Sequence, residues 1–392
     1  MNEDKPHQNA NDYNQKSHQN AQRFTVNYLH KPTSSSMSKD TPKPAFLKKH
    51  WAGLTIVVSA CCLTAGFVYF MLTKIQFSAP PQATPLPTKK ITPQKFYSKV
   101  SYLEVPTEAD TTKAVTAIMI ENSPDARPQS GLKDAEIVFE SVAEGGITRF
   151  LTIFQVNKPQ LIGPVRSVRE YYIDWLTPFE PSVAHVGGSA TALKTIRNGQ
   201  YRDIDQIFNG NFYWRSTDRH VPHNVYTSFE KLDALNKQRG YLTSNIESFA
   251  RQIPKPKKDQ PITATNISFT ISSALYNSGY TYNPTTNLYA RHQAGKPHLD
   301  REKGQITANA VIAIETNMSR VPQDGYRERV DSIGEGKAYV FQNGQVTEGT
   351  WKKPSAQKQI RFYDANHQEI AINAGQVWIT AIPKSSGKVT WN

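Results

Sequence analysis

Cysteine is scarce in this sequence, with two residues in a chain of 392. That scarcity excludes a disulfide scaffold and a zinc module built from cysteines. Both cysteines, Cys61 and Cys62, lie in the one long apolar run of the chain, so the rest must be stabilised by packing alone. With a single such run and a mean hydropathy of −0.57, a membrane protein with many spans is also excluded.

The first 72 residues of the chain predict a membrane anchor. Residues 1–50 have almost no periodic apolar residues, which predicts a disordered tail. Residues 51–72 carry no charge and match a hydrocarbon core of about 30 Å, which predicts a single transmembrane helix. Three lysines stand just before this run and one just after it, so the tail is expected in the cytoplasm and residues 73–392 outside the membrane.

A lipid anchor is the alternative to the transmembrane helix. Residues 58–61 (VSAC) have the form of a lipoprotein cleavage site, in which Cys61 would carry the lipid. The apolar run continues well past Cys61, and the preceding tail is long for a signal peptide, so the uncleaved helix is favoured. Either anchor leaves the same region facing outward.

The remaining sequence predicts an α+β protein with two domains. Residues 73–97 are rich in proline and lysine and are interpreted as a stalk. A mixed α/β domain is expected over 98–250, a proline- and lysine-rich linker over 251–261, and a mostly β domain over 262–392.

Local patterns predict the elements of both domains. In the first domain, strands are expected at 114–120, 136–140, 149–155 and 183–186. Helices are expected after the caps Ser189 and Thr227 or Ser228. In the second domain, strands are expected at 265–272, 280–283, 287–291, 310–315 and 377–382, with an Asn343-Gly344 hairpin joining 338–341 to 346–351.

Ordered motifs along both domains resemble the YerB-like family of bacterial lipoproteins. In the first domain they are IENSPDARPQSGLKDAEIVFE (120–140), EGGITRF (144–150), IGPVRSVREYY (162–172), HVGGS (185–189), FYWR (212–215) and PHNVYTS (222–228). In the second they are YTYNPTTNLYAR (280–291), KPHLD (296–300), VTEGTWKK (346–353), RFYDANHQEI (361–370) and NAGQVWI (373–379). The resemblance implies a two-domain extracytoplasmic protein on a lipid or membrane anchor, and it implies no reaction. The departure from the family is the anchor, which here has the form of a transmembrane helix.

Arginines in these motifs predict an anion-binding cleft. Arginine is a planar fork suited to carboxylate or phosphate, and a Gly-Gly-Ser sequence before a helix adds backbone donors. The predicted ligand-binding residues are Arg127, Arg149, Arg166, Arg169, His185, Gly188, Ser189, Arg215, His223 and Asn224. The alternative is that these arginines pair with glutamates and hold the fold together. The candidate partners are Glu121, Glu140, Glu144 and Glu170.

A metal site is weighed and set aside. His220 and His223 are three residues apart near Asp218, and His185 could supply a third ligand. Pro222 disfavours the helix that would make the two histidines converge, so no metal and no cofactor are expected.

Whether the protein is an enzyme stays open. Ser189 as a nucleophile would need the G-x-S-x-G elbow, which is absent. The alternative is a cell-wall polymer hydrolase with His185 or Glu140 as acid or base, Glu140 and Glu144 being close enough in sequence to pair.

Charge and location together favour a binding function. Residues 1–50 carry eight Lys or Arg and four Asp or Glu, so +9 of the total charge of +13 belongs to residues 73–392. A basic surface next to a membrane favours an anionic cell-wall polymer or a cell-wall protein as partner, and the location disfavours nucleic acid. A scaffold that docks other envelope proteins is a further alternative.

Overall fold

The computed structural model describes residues 54–74, 94–254, 261–321 and 327–392. The predicted tail, the first residues of the predicted membrane span, most of the stalk and most of the linker lie outside these ranges. The described chain divides into two compact units, residues 1–89 and residues 90–392.

The described residues of the first unit form one helix. Helix α1 (Leu54–Lys74) occupies most of the apolar run. The structure describes its side chains from Thr64 onwards. Among the residues that the structure describes, no helix is both long enough and apolar enough to cross a membrane.

The second unit is mostly β, with few helices. The α-helices are α2 (Glu170–Leu176), α3 (Ala190–Ile196) and α4 (Phe229–Arg239). Single 3-10 turns lie at Glu108–Thr112, Pro124–Ala126, Leu132–Asp134, Thr177–Phe179 and Gly210–Phe212. The strands before the linker are β1 (Phe96–Tyr97), β2 (Glu104–Val105), β3 (Thr116–Glu121), β4 (Ile137–Glu144), β5 (Ile147–Phe154), β6 (Ser182–Ala184), β7 (Arg202–Asp203), β8 (Trp214–Arg215), β9 (Val225–Tyr226) and β10 (Arg251–Gln252).

After the linker, the described residues form strands that are joined by turns and loops. They are β11 (Asn266–Thr270), β12 (Ser278–Asn283), β13 (Leu288–Gln293), β14 (Lys296–Pro297), β15 (Leu299–Asp300), β16 (Gly304–Gln305), β17 (Thr307–Ala308), β18 (Ala310–Thr316), β19 (Met318–Arg320), β20 (Glu328–Val330), β21 (Gly334–Gln342), β22 (Gln345–Lys353), β23 (Arg361–Tyr363), β24 (Ile372–Asn373), β25 (Val377–Pro383) and β26 (Lys388–Trp391). The strands predicted from sequence, including the Asn343-Gly344 hairpin, are confirmed.

Both halves of the chain contribute to one ten-stranded sheet. Its strand order is β23-β22-β21-β18-β25-β4-β5-β3-β6-β7. The halves meet where β25 runs parallel to β4, with Val377 opposite Ile137. The two predicted domains therefore share a sheet.

The central strands of the sheet, such as β3, β4 and β25, are buried on both faces, which explains their continuous apolar runs. Along β3, Ala117 and Met119 belong to one core, and Ile118 and Ile120 belong to the other. Helices α2 and α3 pack into the first core. Helix α4 and strands β11 to β13 pack into the second.

Helix α2 was not predicted, and its aromatic side chains are core residues. Tyr171, Tyr172 and Trp175 are all buried. Trp175 stacks on Phe139 of β4 with ring centroids 5.4 Å apart. These rings pack the interior and do not form a surface on which a sugar could stack.

Candidate functional site

A cleft of about 610 Å³ lies at the end of β3, and we call it the arginine cleft. It is lined by Asp125, Arg127, Asp218, Arg219, His220, Val221, His223 and Arg301. These residues come from three segments: the loop after β3, the segment between β8 and β9, and the turn between β15 and β16. Three guanidinium groups and two imidazoles share the opening with two carboxylates, so the lining is rich in hydrogen-bond donors.

Arg219 ties two of these segments together. Its Nη1 donates to the carbonyl oxygen of Asp125 at 2.8 Å, and its Nη2 donates to that of Pro128 at 2.6 Å. Within its own segment, Ser216 N donates to the carbonyl oxygen of Asn224 at 2.7 Å. These backbone contacts give the cleft a defined wall.

Glu121, the last residue of β3, orients His223 in this wall. Glu121 is buried, and its Oε1 accepts a hydrogen bond from His223 Nδ1 at 2.9 Å and another from the Ser123 hydroxyl at 2.9 Å. Arg166 Nε lies 3.3 Å from the same oxygen. Because Nδ1 is bound to the carboxylate, the hydrogen-bonding pattern assigns the lone pair of the neutral ring to Nε2. His223 Nε2 lies 3.9 Å from Asp125 Oδ2, beyond hydrogen-bonding distance.

Arg127 connects the cleft to the second half of the chain through contacts with Leu275 and Tyr276. Its Nε donates to Asn122 Oδ1 at 3.1 Å, and its Nη2 donates to the carbonyl oxygens of Asn122 at 2.8 Å and Leu275 at 2.9 Å. The guanidinium also lies 5.3 Å from the centre of the Tyr276 ring. Burial lowers the pKa of Arg127 from its ordinary value, so this cation is partly stripped of water.

A buried hydrogen-bonded network lies behind the cleft. Arg291 Nη2 pairs with Glu140 Oε2 at 2.8 Å, and Arg291 Nε donates to His298 Nδ1 at 2.9 Å. His298 Nε2 donates to Gln129 Oε1 at 3.0 Å, and Gln129 Nε2 donates to the carbonyl oxygen of Glu121 at 2.9 Å. Burial, followed by the charge of Arg291, lowers the pKa of His298 well below its ordinary value. The neutral ring therefore links the core to the residue that orients the cleft histidine.

The expectation that Glu140 could act as the acid or base of a hydrolase is corrected by this network. Glu140 has no solvent exposure, its Oε2 pairs with Arg291, and its Oε1 accepts from Thr148 Oγ1 at 3.1 Å. A general acid or base must reach the substrate. Glu140 instead neutralises a buried arginine.

Arg149 and Arg169, both predicted to bind a ligand, are buried against Glu144. Arg149 Nη2 lies 2.9 Å from Glu144 Oε1, and Arg169 Nη2 is paired with Glu144 Oε2. Burial alone would raise the pKa of Glu144, but the charges of the two arginines outweigh it and lower the pKa to about 2. For these arginines the structure gives the alternative role, that of holding the fold together.

His185 is fully buried and lies away from the lining of the arginine cleft. Its Nδ1 contacts the carbonyl oxygen of Gly187 at 2.8 Å, and its Nε2 contacts Asp203 Oδ1 at 3.0 Å. His185, the possible third ligand of the metal hypothesis, does not line the cleft that contains His220 and His223. Within the described ranges no three His, Cys, Asp or Glu side chains are arranged to hold a metal ion.

Gly188 and Ser189 serve the start of α3. Ser189 Oγ accepts from Ala192 N at 3.3 Å, which confirms the predicted cap, and it donates to Glu170 Oε2 at 2.9 Å. A Cβ on Gly188 would lie 3.0 Å from the carbonyl oxygen of Val168, so glycine permits a close approach of two segments. The hydroxyl that was expected to face an anion is occupied within the fold.

Arg215 and Asn224 bond to each other where β8 and β9 pair. Arg215 Nη1 donates to Asn224 Oδ1 at 2.8 Å, and Asn224 Nδ2 donates to the carbonyl oxygen of Ser216 at 3.1 Å. Of the ten predicted binding residues, Arg127 and His223 line the arginine cleft.

The sequence groups Arg219 with the other arginines of the first domain but outside the ten predicted binding residues, and Arg301 belongs to neither set. Arg219 stands between the motifs FYWR (212–215) and PHNVYTS (222–228), and Arg301 follows KPHLD (296–300) directly. Their position beside resembling motifs is the signal that could have found them.

Comparisons with known proteins give a family and no activity. The model described as "Protein of unknown function (DUF3048) N-terminal domain" matches residues 102–242, and the model of the corresponding C-terminal domain matches residues 265–379. A relative named "Putative lipoprotein YerB", from Bacillus subtilis (strain 168), is 31% identical over 330 residues, which are 83% of this chain and 95% of the relative. A crystal structure of the YerB protein from Bacillus subtilis matches with a TM-score of 0.67 at 28% identity and covers 76% of this chain and 100% of that chain. The resemblance drawn from the sequence motifs is thereby confirmed.

Proposed function

The chain belongs to the YerB-like family, whose two domains are described as DUF3048, and from that premise we propose that it is a membrane-anchored, extracytoplasmic protein that binds an anionic cell-wall ligand in the arginine cleft. The observation that carries this proposal is that Arg127, Arg219 and Arg301 line one opening. Guanidinium groups bind phosphate and carboxylate through charge-assisted, often paired hydrogen bonds. The positive charge of residues 73–392 adds a general attraction for polyanions.

The proposed anchor is the apolar run 51–72 as a single transmembrane helix, with the N-terminus in the cytoplasm. It is supported by the absence of charge in the run and by the excess of lysine before it. The name of the Bacillus relative supports membrane attachment through a lipid instead. Mass spectrometry of the chain extracted from membranes distinguishes the two. An uncleaved N-terminus supports the helix, and a lipidated N-terminal Cys61 overturns it.

Co-sedimentation with purified anionic wall polymer tests the binding site. The full chain is held in mild detergent, and binding is followed as salt is raised, because screening weakens contacts between exposed charges. Arg301→Gln is expected to weaken binding about tenfold, since a hydrogen bond to a charged group contributes about 1.5–3 kcal/mol. Arg301 pairs with Asp218, and its side chain is about one-third exposed. The exposed part is accessible to a ligand.

Arg329→Gln is the matched control, because it removes the same charge from an exposed side chain outside the cleft. Its binding should stay within about twofold of the unaltered chain, as for most single exposed charges. Equal losses in both variants would show that the polymer binds the general positive charge and not the cleft. If the unaltered chain binds no polymer, the proposal fails, and a cell-wall protein becomes the partner to test.

A further inference from the structure

His223 differs from the two fully buried histidines in how its ring nitrogens are used. In His185 and His298, both nitrogens contact protein groups within 3.0 Å. In His223, Nδ1 is bound to Glu121, while Nε2 lies on the side of the arginine cleft. A carboxylate on Nδ1 and a free lone pair on Nε2 are what a general base requires.

We propose that the arginine cleft is a hydrolytic site for phosphodiesters, with His223 as its general base. Glu121 is the positioning residue that holds the ring through Nδ1. This inference rests on the proposed function, because the phosphodiester must first bind in the cleft. It goes beyond that function by assigning a reaction to the bound anion.

The position of Ser123 excludes it as the nucleophile that His223 activates, and the proposed nucleophile is water. Ser123 Oγ lies 3.2 Å from His223 Nδ1 and donates to Glu121 Oε1 at 2.9 Å. It therefore lies at the nitrogen that already faces the carboxylate. A nucleophilic serine would have to contact the opposite nitrogen, Nε2, which takes its proton. Ser123 supports the carboxylate, and the group activated at Nε2 comes from solvent.

The chemical step follows from this arrangement. Nε2 of His223 takes one proton from a water molecule as the water oxygen forms a bond to phosphorus. The bond from phosphorus to the leaving oxygen breaks, and that oxygen takes a proton from the imidazolium or from solvent. One phosphodiester and one water thus become a phosphomonoester and an alcohol.

The arginines of the cleft supply the electrostatic part of the reaction. Negative charge accumulates on the phosphoryl oxygens in the transition state, and fixed cations stabilise it most where water is excluded. Arg127 is half-buried and held by Asn122 and Leu275, so it needs little rearrangement to serve this purpose. Arg219 is held in the same way by two backbone carbonyls.

Release of 4-nitrophenolate from bis(4-nitrophenyl) phosphate by the full chain in detergent tests the proposal. The unaltered chain should release it faster than buffer does. His223→Ala should lower kcat about 10²- to 10⁴-fold with little change in KM, the range for loss of a general base. Added imidazole should restore part of the rate to His223→Ala, because it can fill the vacated space beside Glu121.

His367→Ala is the matched control, since His367 is exposed and lies outside the lining of the arginine cleft. It should keep kcat within about twofold and gain nothing from imidazole. Glu121→Gln, which keeps the shape of the side chain, should lower kcat more than it changes KM. Circular dichroism and thermal unfolding show whether each variant is folded.

The outcomes separate this inference from the proposed function. If the unaltered chain releases no 4-nitrophenolate above buffer but still binds wall polymer through Arg301, the hydrolytic proposal is overturned and the binding proposal stands. If His223→Ala and His367→Ala lose equal activity, or imidazole restores nothing to a folded His223→Ala, His223 is not the base. If neither binding nor hydrolysis is found, both proposals fail.

Discussion

One carboxylate, Glu144, balances two buried guanidinium groups, those of Arg149 and Arg169. Glu144→Gln is expected to lower the free energy of unfolding by about 3 kcal/mol at pH 7, because removing one partner leaves buried charges uncompensated. Urea denaturation measures the change. Glu335→Gln is the control, since Glu335 pairs with Lys352 in an exposed ion pair whose loss should cost under about 1 kcal/mol. Similar losses in both variants would contradict the assigned role.

The pKa of Glu144 also predicts how this stabilisation depends on pH. The pKa in the folded chain, about 2, lies below the ordinary value of 4.5, so the unfolded chain binds the proton more readily. The contribution is therefore complete above about pH 4.5 and is lost as the pH falls towards about 2. The difference in unfolding free energy between the unaltered chain and Glu144→Gln should shrink over that interval. A difference that stays constant would show that the charge of Glu144 is not what the arginines require.

The sequence shows which residues are charged, but it predicts their ion-pair partners only in part. Glu144 and Arg149 are five residues apart across a β-turn, so their pairing has a local signal. Arg169 joins them from a distant segment, and Arg301 reaches the arginine cleft from the other half of the chain. Arg127 has the same chemistry as Arg149, and only tertiary contacts decide that one lines a cleft and the other is buried. The prediction of ten binding residues therefore included both kinds.

At the scale of elements, glycines in two hairpin turns distinguish two energetic effects. One is the strain of a left-handed backbone, and the other is a steric clash with a neighbouring side chain. Gly344, between β21 and β22, has a φ of +74°, and a Cβ there would lie 2.5 Å from the buried Tyr282 ring. Gly295, between β13 and β14, has a φ of +75° and nothing within 4 Å. The two glycines therefore differ in surroundings and hardly at all in conformation.

Alanine at each of these glycines is expected to destabilise the chain to a different degree. Gly295→Ala should cost about 1–2 kcal/mol, the price of a left-handed backbone for a residue with a Cβ. Gly344→Ala should cost about 1–3 kcal/mol more, because the methyl group overlaps a packed ring. Urea midpoints of the two variants give the difference directly. Equal losses would show that Tyr282 moves aside freely.

Elements with local signals were predictable, and an element without them was missed. Helix α4 has Ser228 as its cap, one of the two caps that the sequence predicted, and Gly240 in a left-handed conformation at its end. Helix α2 has Arg169 as its N-cap residue, and the Arg169 side chain makes no capping hydrogen bond. Its sequence, EYYIDWL, buries five of seven residues and leaves only Glu170 and Asp174 half-buried, so its polar face is narrower than that of a typical surface helix.

At the scale of the molecule, the sequence predicted two domains in order but not the sheet that joins them. The composition around residues 251–261 predicts a domain boundary. A boundary in the sequence does not prevent strands on its two sides from pairing through hydrogen bonds. Parallel neighbours such as β4 and β25 are joined by long connections and leave no local pattern. For the same reason the pairing of Glu140 with Arg291, one from each half, could not be foreseen.

Because of this shared sheet, the half of the chain before the linker should not fold alone. Without the second half, β4 would have an unpaired edge where β25 now lies, Phe150 would lose its edge contact with Trp378, and buried Glu140 would lose the cation that neutralises it. An exposed edge and an unpaired buried carboxylate each oppose a compact state. A fragment of residues 98–250 is therefore expected to show no cooperative unfolding.

The compact unit of residues 90–392 should instead unfold as one body. Differential scanning calorimetry is expected to give a single transition whose calorimetric and van't Hoff enthalpies agree, because both halves contribute strands to the ten-stranded sheet. Two resolved transitions, one of which the 98–250 fragment reproduces by itself, would contradict this prediction. In that case the parallel pairing of β4 with β25 would be a contact between two finished domains. The single transition would mean that the arginine cleft, whose walls come from both halves, exists only when the whole unit is folded.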